Sequence, residues 1–216
     1  MSPDPVKVRM DYGDHDLDAT DLDENPIVQL QRWMEEASLT DQLVEPSAAA
    51  LATVDAEGRP SLRTVLVRRI THGQLLFFSN YSSRKAVEIQ GNPHVALLFR
   101  WAGPQRQVEV LGRAGRASPA IADAYFAGRP RDSQIGAHAS PQSRPLADRQ
   151  ALDAMMAAAS ASLEGVDPIP RPEDWGGFAV TPYAVEFWQG RSSRLHDRIR
   201  YDLQPDATWT RTRLAP

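Results

Sequence analysis

After Pro46 the apolar residues fall into short alternating runs broken by clusters of turn-forming residues, and this pattern constrains the fold more than any other feature of the chain. Ala48 to Val54, Leu62 to Ile70 and Leu75 to Phe78 are separated by Asp55-Ala56-Glu57-Gly58 and by Thr71-His72-Gly73, which predicts successive antiparallel strands. Further strands are expected at His94 to Trp101, Gln107 to Arg116, Phe178 to Trp188, Leu195 to Tyr201 and Thr208 to Leu214. Helices fall between hairpins. One is expected from Pro26, a residue suited to a first helical position, to Leu43. A second opens at Ser82-Ser83-Arg84-Lys85 and stops before Asn92-Pro93, and a helical block runs from Pro119 to about Leu163 with breaks at Pro130, around Pro141 and at Pro145. Gly165 to Trp175 is Pro-rich and polar, the composition of a connecting loop. The expected class is α+β, mainly antiparallel β, an antiparallel barrel or sheet with peripheral helices. No GxGxxG or Walker-type loop argues for a doubly wound parallel sheet.

The 216 residues suffice for one ordinary domain or two small ones. There is no Cys, which excludes disulfides, thiolate metal sites and a Cys nucleophile, and no apolar run approaches the ~20 residues of a membrane span. With no signal-peptide pattern at the start, a cytoplasmic location is expected. Residues 1–24 carry eight acids against Lys7 and Arg9, so they hold −6 of a chain whose total is −4. They are expected as a flexible acidic arm before a single domain over residues 25–216. No strongly basic stripe suggests nucleic acid as a partner. The 22 arginines against two lysines prove nothing alone, since they fit a general preference for Arg.

Several clusters carry possible chemistry. Arg63 and Arg68 lie in one predicted strand, and five residues span ~16 Å and reverse the face, so the two serve separate anions or one faces solvent. Ser83-Arg84-Lys85 at a helix start combines free N–H groups, a dipole end and two cations, which suits a phosphate as well as it suits a capped surface helix. Tyr125, Arg129 and Ser133 are spaced four apart and can all donate to a second phosphate, although Pro130 divides the helix and Tyr125 also fits a core or rim aromatic. Arg194, His196 and Arg198 alternate in a predicted strand and so share a face, where three such groups call for an anionic or aromatic partner or for pairing with Asp197 and Asp202. Trp188 alone reads as core. The five dispersed His residues show no ligand spacing, and no GxSxG elbow is present.

Four ordered motifs give these clusters a common frame: Arg129-Pro130-Arg131-Asp132-Ser133-Gln134-Ile135-Gly136, Val185-Glu186-Phe187-Trp188-Gln189-Gly190, Arg194-Leu195-His196-Asp197-Arg198 and the terminal Arg213-Leu214-Ala215-Pro216. From about Arg9 to Pro216 the chain resembles the pyridoxamine 5'-phosphate oxidase family. The resemblance implies an FMN-binding split barrel acting as a homodimer with FMN at the interface. It also implies a phosphorylated B6 vitamer as substrate and dioxygen as the final oxidant. By matching position, Arg63, Thr64, Val65, Leu66, Val67, Arg68, Phe78, Ser79, Arg84, Lys85, Gln107, Gln142, Ser143, Trp188 and Arg198 would contact FMN. Arg68, Tyr125, Arg129, Ser133, Arg194 and His196 would contact the substrate, the first four at its phosphate, while Arg9 to Tyr12 would form an arm over the occupied site. Arg194 and His196 would be the catalytic pair, with hydride passing from C4' of the vitamer to flavin N5. A phenazine-type oxidase on the same scaffold, or a non-catalytic flavin or pyridoxal-phosphate carrier, are the alternatives. Two departures stand out: Arg68 replaces the family's usual Lys, and Phe78-Ser79 replaces a usual Tyr-Thr pair.

Overall fold

A computed structural model describes residues 12–13, 15–39 and 45–216. Nine strands form one sheet in the order β2-β1-β5-β6-β7-β4-β3, with β8 beside β7 and β9 beside β8. The strands are β1 (Ala48–Val54), β2 (Pro60–Leu66), β3 (Arg69–Thr71), β4 (Gln74–Asn80), β5 (His94–Trp101), β6 (Arg106–Arg116), β7 (Trp175–Gln189), β8 (Asp197–Leu203) and β9 (Trp209–Leu214). Five helices accompany them: α1 (Pro26–Ser38), α2 (Arg84–Gly91), α3 (Pro119–Ala127), α4 (Arg131–Ala139) and α5 (Arg149–Ser162). Among the described residues no helix is long and apolar enough to cross a membrane.

The chain divides into two compact units. The first comprises the described residues up to Ala49, Leu97–Leu111 and Pro182–Pro216. Its core includes Leu30, Trp33, Phe187, Ile199 and Tyr201. Trp33 meets Phe187 edge-on at 5.0 Å, and Phe187 meets Tyr201 at 5.5 Å. Helix α1 starts where Pro26 predicts, and the Asn25 side chain accepts the Ile27 N–H. It ends at Ser38 instead of Leu43, with Leu39 as the cap, and residues 40–43 of the expected helix lie outside the described residues. Within the expected flexible arm, Ala19–Asp21 form a 3-10 turn closed by a capping box from Asp18, and Leu17 and Leu22 are buried. The Tyr201 hydroxyl donates to the Asp23 carbonyl at 2.7 Å. Apolar Leu17 and Leu22 thus tie down part of a stretch whose charges suggest a free tail.

The second unit comprises Ala50–Ala96 and Gly112–Thr181. Here β4 pairs antiparallel with β3 and with the first half of β7, and Phe78 lies opposite Gly177. A β-carbon on Gly177 would sit 3.0 Å from Phe78 Cε1 and 2.9 Å from Ala117 Cβ, so only glycine lets that ring lie against β7. Phe126, Ile135, Ile169 and Trp175 form a buried cluster. The expected strand from Leu62 to Ile70 is broken in two, since β2 ends at Leu66 and β3 begins at Arg69. Arg68 therefore lies in the connection, its N–H donating to the Leu76 carbonyl at 2.9 Å. Helix breaks fall at the prolines as expected, and α5 buries no residue.

Candidate active site

In the second unit, β2 sets Arg63 against Glu88 of α2. Arg63 Nη2 lies 3.3 Å from Glu88 Oε2, and Nη1 donates to the Leu51 carbonyl at 3.1 Å. Arg84, one helical turn before Glu88, donates Nε to Oε1 at 2.7 Å. The Ser61 hydroxyl donates to Glu88 at 2.5 Å, and Thr53 Oγ1 donates as well. Burial works against the charged form, but the hydrogen bonds from Ser61, Thr53 and Arg84 hold Glu88 at about 2. Ser83 occupies the N-cap of α2 but makes no capping bond; its hydroxyl donates to the Asn80 carbonyl at 2.7 Å. The start of the helix is left without a side-chain cap.

Beside this cluster a cavity of about 340 Å³ is lined by Thr64, Val65 and Leu66 from the end of β2 and Arg68 from the connection after it, with Phe78, Ser79, Lys85, Tyr125, Arg129, Gln142 and Trp175. Lys85 Nζ donates to Ser79 Oγ at 3.0 Å and to Gln142 Oε1 at 2.8 Å. Burial, reinforced by the charge of Arg63, lowers Lys85 to about 8. The Phe78 and Tyr125 rings stack 3.7 Å apart at 6°, and Trp175 lies nearly parallel to Phe78 at 5.7 Å. Arg129 sits just past the end of α3, with its guanidinium carbon 4.6 Å from the Trp175 ring centre. Its Nη1 is buried and has no hydrogen-bond partner among the described residues. A buried, unpaired guanidinium donor is costly, and an anionic oxygen in the cavity would satisfy it.

In the first unit Trp188 on β7 lies opposite Arg198 on β8. Arg198 donates Nε to Glu186 Oε1 at 2.7 Å, Nη2 to Oε2 at 3.1 Å and Nη1 to the Ala215 carbonyl at 2.9 Å. The His196 ring lies 4.6 Å from Trp188, and Tyr12 meets both rings edge-on, at 5.5 Å from His196 and 6.0 Å from Trp188. His196 Nδ1 accepts the Arg191 N–H at 3.1 Å, which leaves the proton of the neutral ring on Nε2. Burial, then the Arg194 charge, lowers His196 below its ordinary value. Asp197 is buried and accepts the Leu17 N–H at 3.1 Å, Arg191 Nη1 at 3.4 Å and Arg213 Nη1. Arg191 and Arg213 also reach Asp16 at 2.7 Å and Asp18 at 3.1 Å.

Ten of the expected contact residues thus line one cavity. Arg63 and Arg84 meet on Glu88 instead, while Ser143 and Arg84 line a neighbouring hollow of about 520 Å³. Val67 is buried, and Ser133 lies in the first turn of α4 away from the cavity lining. Gln107 is half-buried on β6, and Arg9 lies outside the described residues. The expected alternation of Arg194, His196 and Arg198 along a strand does not occur. Ser192–Arg194 form a 3-10 turn with Ser193 and Arg194 at φ 56° and 62°, and β8 begins only at Asp197. A left-handed pair of this kind costs backbone energy and gives Arg194 a direction that strand geometry would deny it. Nor is Trp188 a core residue, since it is only half-buried and packs on His196. Sequence reasoning missed Trp175 and Glu88; the i,i+4 spacing of Arg84 and Glu88 was the one available signal for the latter.

Comparison with known proteins gives the family. Residues 36–162 match the family model described as pyridoxamine 5'-phosphate oxidase, and residues 175–216 match that of the pyridoxine 5'-phosphate oxidase C-terminal dimerisation region. A pyridoxine/pyridoxamine 5'-phosphate oxidase of Chromobacterium violaceum is 47% identical over 216 residues, covering 100% of both chains. One from Paraburkholderia phymatum is 48% identical over 209 residues, 97% of each chain. Among solved structures, PhzG from Burkholderia lata in complex with tetrahydrophenazine-1-carboxylic acid aligns with a TM-score of 0.86 at 32% identity, covering 95% of this chain and 100% of that one. The split-barrel class expected from the resemblance is thereby shown. With both models matched in order and relatives alike over their full length, the chain belongs to the pyridoxamine 5'-phosphate oxidase family.

Proposed function

We propose that the protein is an FMN-dependent oxidase that converts pyridoxamine 5'-phosphate and pyridoxine 5'-phosphate to pyridoxal 5'-phosphate, working in the cytoplasm as a homodimer with FMN at the interface. The observation that carries this reading is the buried, unpaired Nη1 of Arg129 in a cavity that also presents Arg68 and Lys85. A phosphate near −2 would supply the missing acceptor. The dimerisation-region match over residues 175–216 supports the homodimer.

In this reading Arg63 of β2 joins Arg84 and Lys85 at the uncapped start of α2, with Gln142 and Ser143, to hold the FMN phosphate. Thr64, Val65, Leu66, Phe78 and Ser79 form the adjoining cavity wall, and Gln107, Trp188 and Arg198 supply further flavin contacts. FMN held there would supply a two-electron acceptor for the hydride lost from C4' of the vitamer, with dioxygen as the final oxidant and hydrogen peroxide as its product. Arg68, Tyr125, Arg129 and Ser133 bind the substrate phosphate and so fix where the ring lies. Glu186 and the Ala215 carbonyl hold Arg198 from three sides, so it needs little reorganisation on binding. His196, neutral at working pH with its proton on Nε2, can donate to the substituent on C4', and Arg194 holds the ring face away from the flavin. Tyr12, edge-on to Trp188 and His196, covers the bound substrate.

The test is an aerobic assay of FMN-loaded protein with each phosphorylated vitamer, following pyridoxal 5'-phosphate absorbance and peroxide. Turnover of both with peroxide release is expected. Turnover of a phosphate-free tricyclic compound in their place would transfer the protein to the phenazine-type reading, and flavin binding without peroxide would make it a carrier.

A further inference from the structure

Glu88 is an unusual group to find buried next to a phosphate cradle. It carries the same sign as the ligand, its side chain is only 4% exposed, and hydrogen bonding keeps it ionised. All four of its described partners are donors. Arg84 takes Oε1, while Arg63, Ser61 and Thr53 share Oε2. The two hydroxyls also accept from Arg63, Thr53 from Nη1 and Ser61 from Nη2, so each gives its proton to Glu88 and receives one from the guanidinium. Arg63 is locked by this ring of bonds. Arg84 is anchored through Nε alone, and its side chain is 60% exposed, so its Nη groups stay available to a ligand.

These cations crowd one another: burial first, and last the charge of Arg84, lowers Arg63, and burial followed by the charge of Arg63 lowers Lys85. One carboxylate against three cations leaves a formal +2, the complement of a phosphate dianion.

We propose that Glu88 is a positioning residue for the flavin phosphate: a single carboxylate holds Arg63 and Arg84 together, so that the cradle is assembled before FMN arrives. This rests on the reading that the FMN phosphate binds at Arg63, Arg84 and Lys85. A carboxylate is required because only an acceptor with two oxygens serves four donors. A carboxamide has one acceptor oxygen and would turn an NH₂ group toward a guanidinium or a hydroxyl.

The charge argument gives the test a sign. Glu88→Gln makes the cradle more positive, so net charge alone would tighten binding of a dianion, whereas loss of positioning weakens it. Flavin-free protein is titrated with FMN and, separately, with riboflavin, which lacks the phosphate, following quenching of flavin fluorescence; wild type, Glu88→Gln and Arg84→Met are compared. We expect Glu88→Gln to weaken FMN roughly 10-fold, as loss of an outer-shell partner does for a bound ion, and riboflavin less than about 2-fold. Equal losses for both flavins would reduce Glu88 to a structural role, and unchanged or tighter FMN binding would also overturn the proposal. If Arg84→Met selectively weakens FMN while Glu88→Gln does not, Glu88 fails and the parent reading stands. If Arg84→Met leaves the FMN-to-riboflavin ratio unchanged, the parent reading itself falls. Should Glu88→Gln not fold, Ser61→Ala removes one donor to Glu88 and one acceptor of Arg63, and a smaller FMN-selective loss, about 3-fold, is expected; no selectivity there would overturn the proposal.

Discussion

Arg129 holds its guanidinium carbon over Trp175, 4.6 Å from the ring centre, with Nη1 buried and unpaired among the described residues. In the proposed function this unpaired donor takes an oxygen of the substrate phosphate. Replacing Arg129 by Met should lower kcat/KM for pyridoxamine 5'-phosphate by about 10- to 100-fold, the usual worth of a charged hydrogen bond, chiefly through KM. FMN affinity should change little. Steady-state kinetics alongside a flavin titration checks both, and an unchanged KM would remove Arg129 from the substrate phosphate.

Lys85 gives two pH dependences of opposite sign. Its native value of about 8 lies below the ordinary 10.5, so between those values the unfolded chain binds more protons than the native one. The contribution of this group to stability therefore rises with pH across that window. Anion binding needs the ammonium, so FMN affinity of the flavin-free protein should fall as pH rises through about 8. Lys85→Arg should keep FMN affinity flat to higher pH, as titrations from pH 6 to 10 would reveal.

His196 should set the acidic limb of activity. Its value is lowered by burial and by Arg194, so the neutral ring persists somewhat below pH 6.5. A proton gained below that point goes to Nδ1, breaks the bond from the Arg191 N–H that orients the ring, and also favours the unfolded chain, so both activity and stability decline on acidification. His196→Asn should abolish this limb in a kcat profile while lowering the plateau. A limb that survives the substitution belongs to another group.

Asp197 joins three donors from three segments, and Asp197→Ala would strand Arg191, Arg213 and the Leu17 N–H together. Because both arginines are partly exposed, about 2 kcal/mol of destabilisation is expected, below the cost of breaking a fully buried pair. Limited proteolysis should show cleavage around residues 16–24 appearing in the variant well before cleavage elsewhere.

What the sequence reveals depends on how local the cause is. The alternation in His94 to Trp101 gives β5 to the residue, and the prolines at 119 and 130 place the helix starts, because period and proline geometry act within a few residues. Convergence of Lys85 with Gln142 was reached only through family motifs, since 57 positions separate them. Trp175 was hidden at the edge of a Pro-rich stretch that reads as a loop, although it opens β7 and packs on Phe78. Arg194 escaped because its left-handed backbone breaks the two-residue period that was used to aim it.

The narrow face of Gly177 has an effect beyond the strand that carries it. With no β-carbon at that point, the Phe78 ring can recline against β7, and Tyr125 in turn rests on Phe78. A methyl there would meet both Ala117 and Phe78, and the ring would have to give way by a few tenths of an ångström. The seat of two rings that line the cavity thus depends on a position that adds no side chain to it.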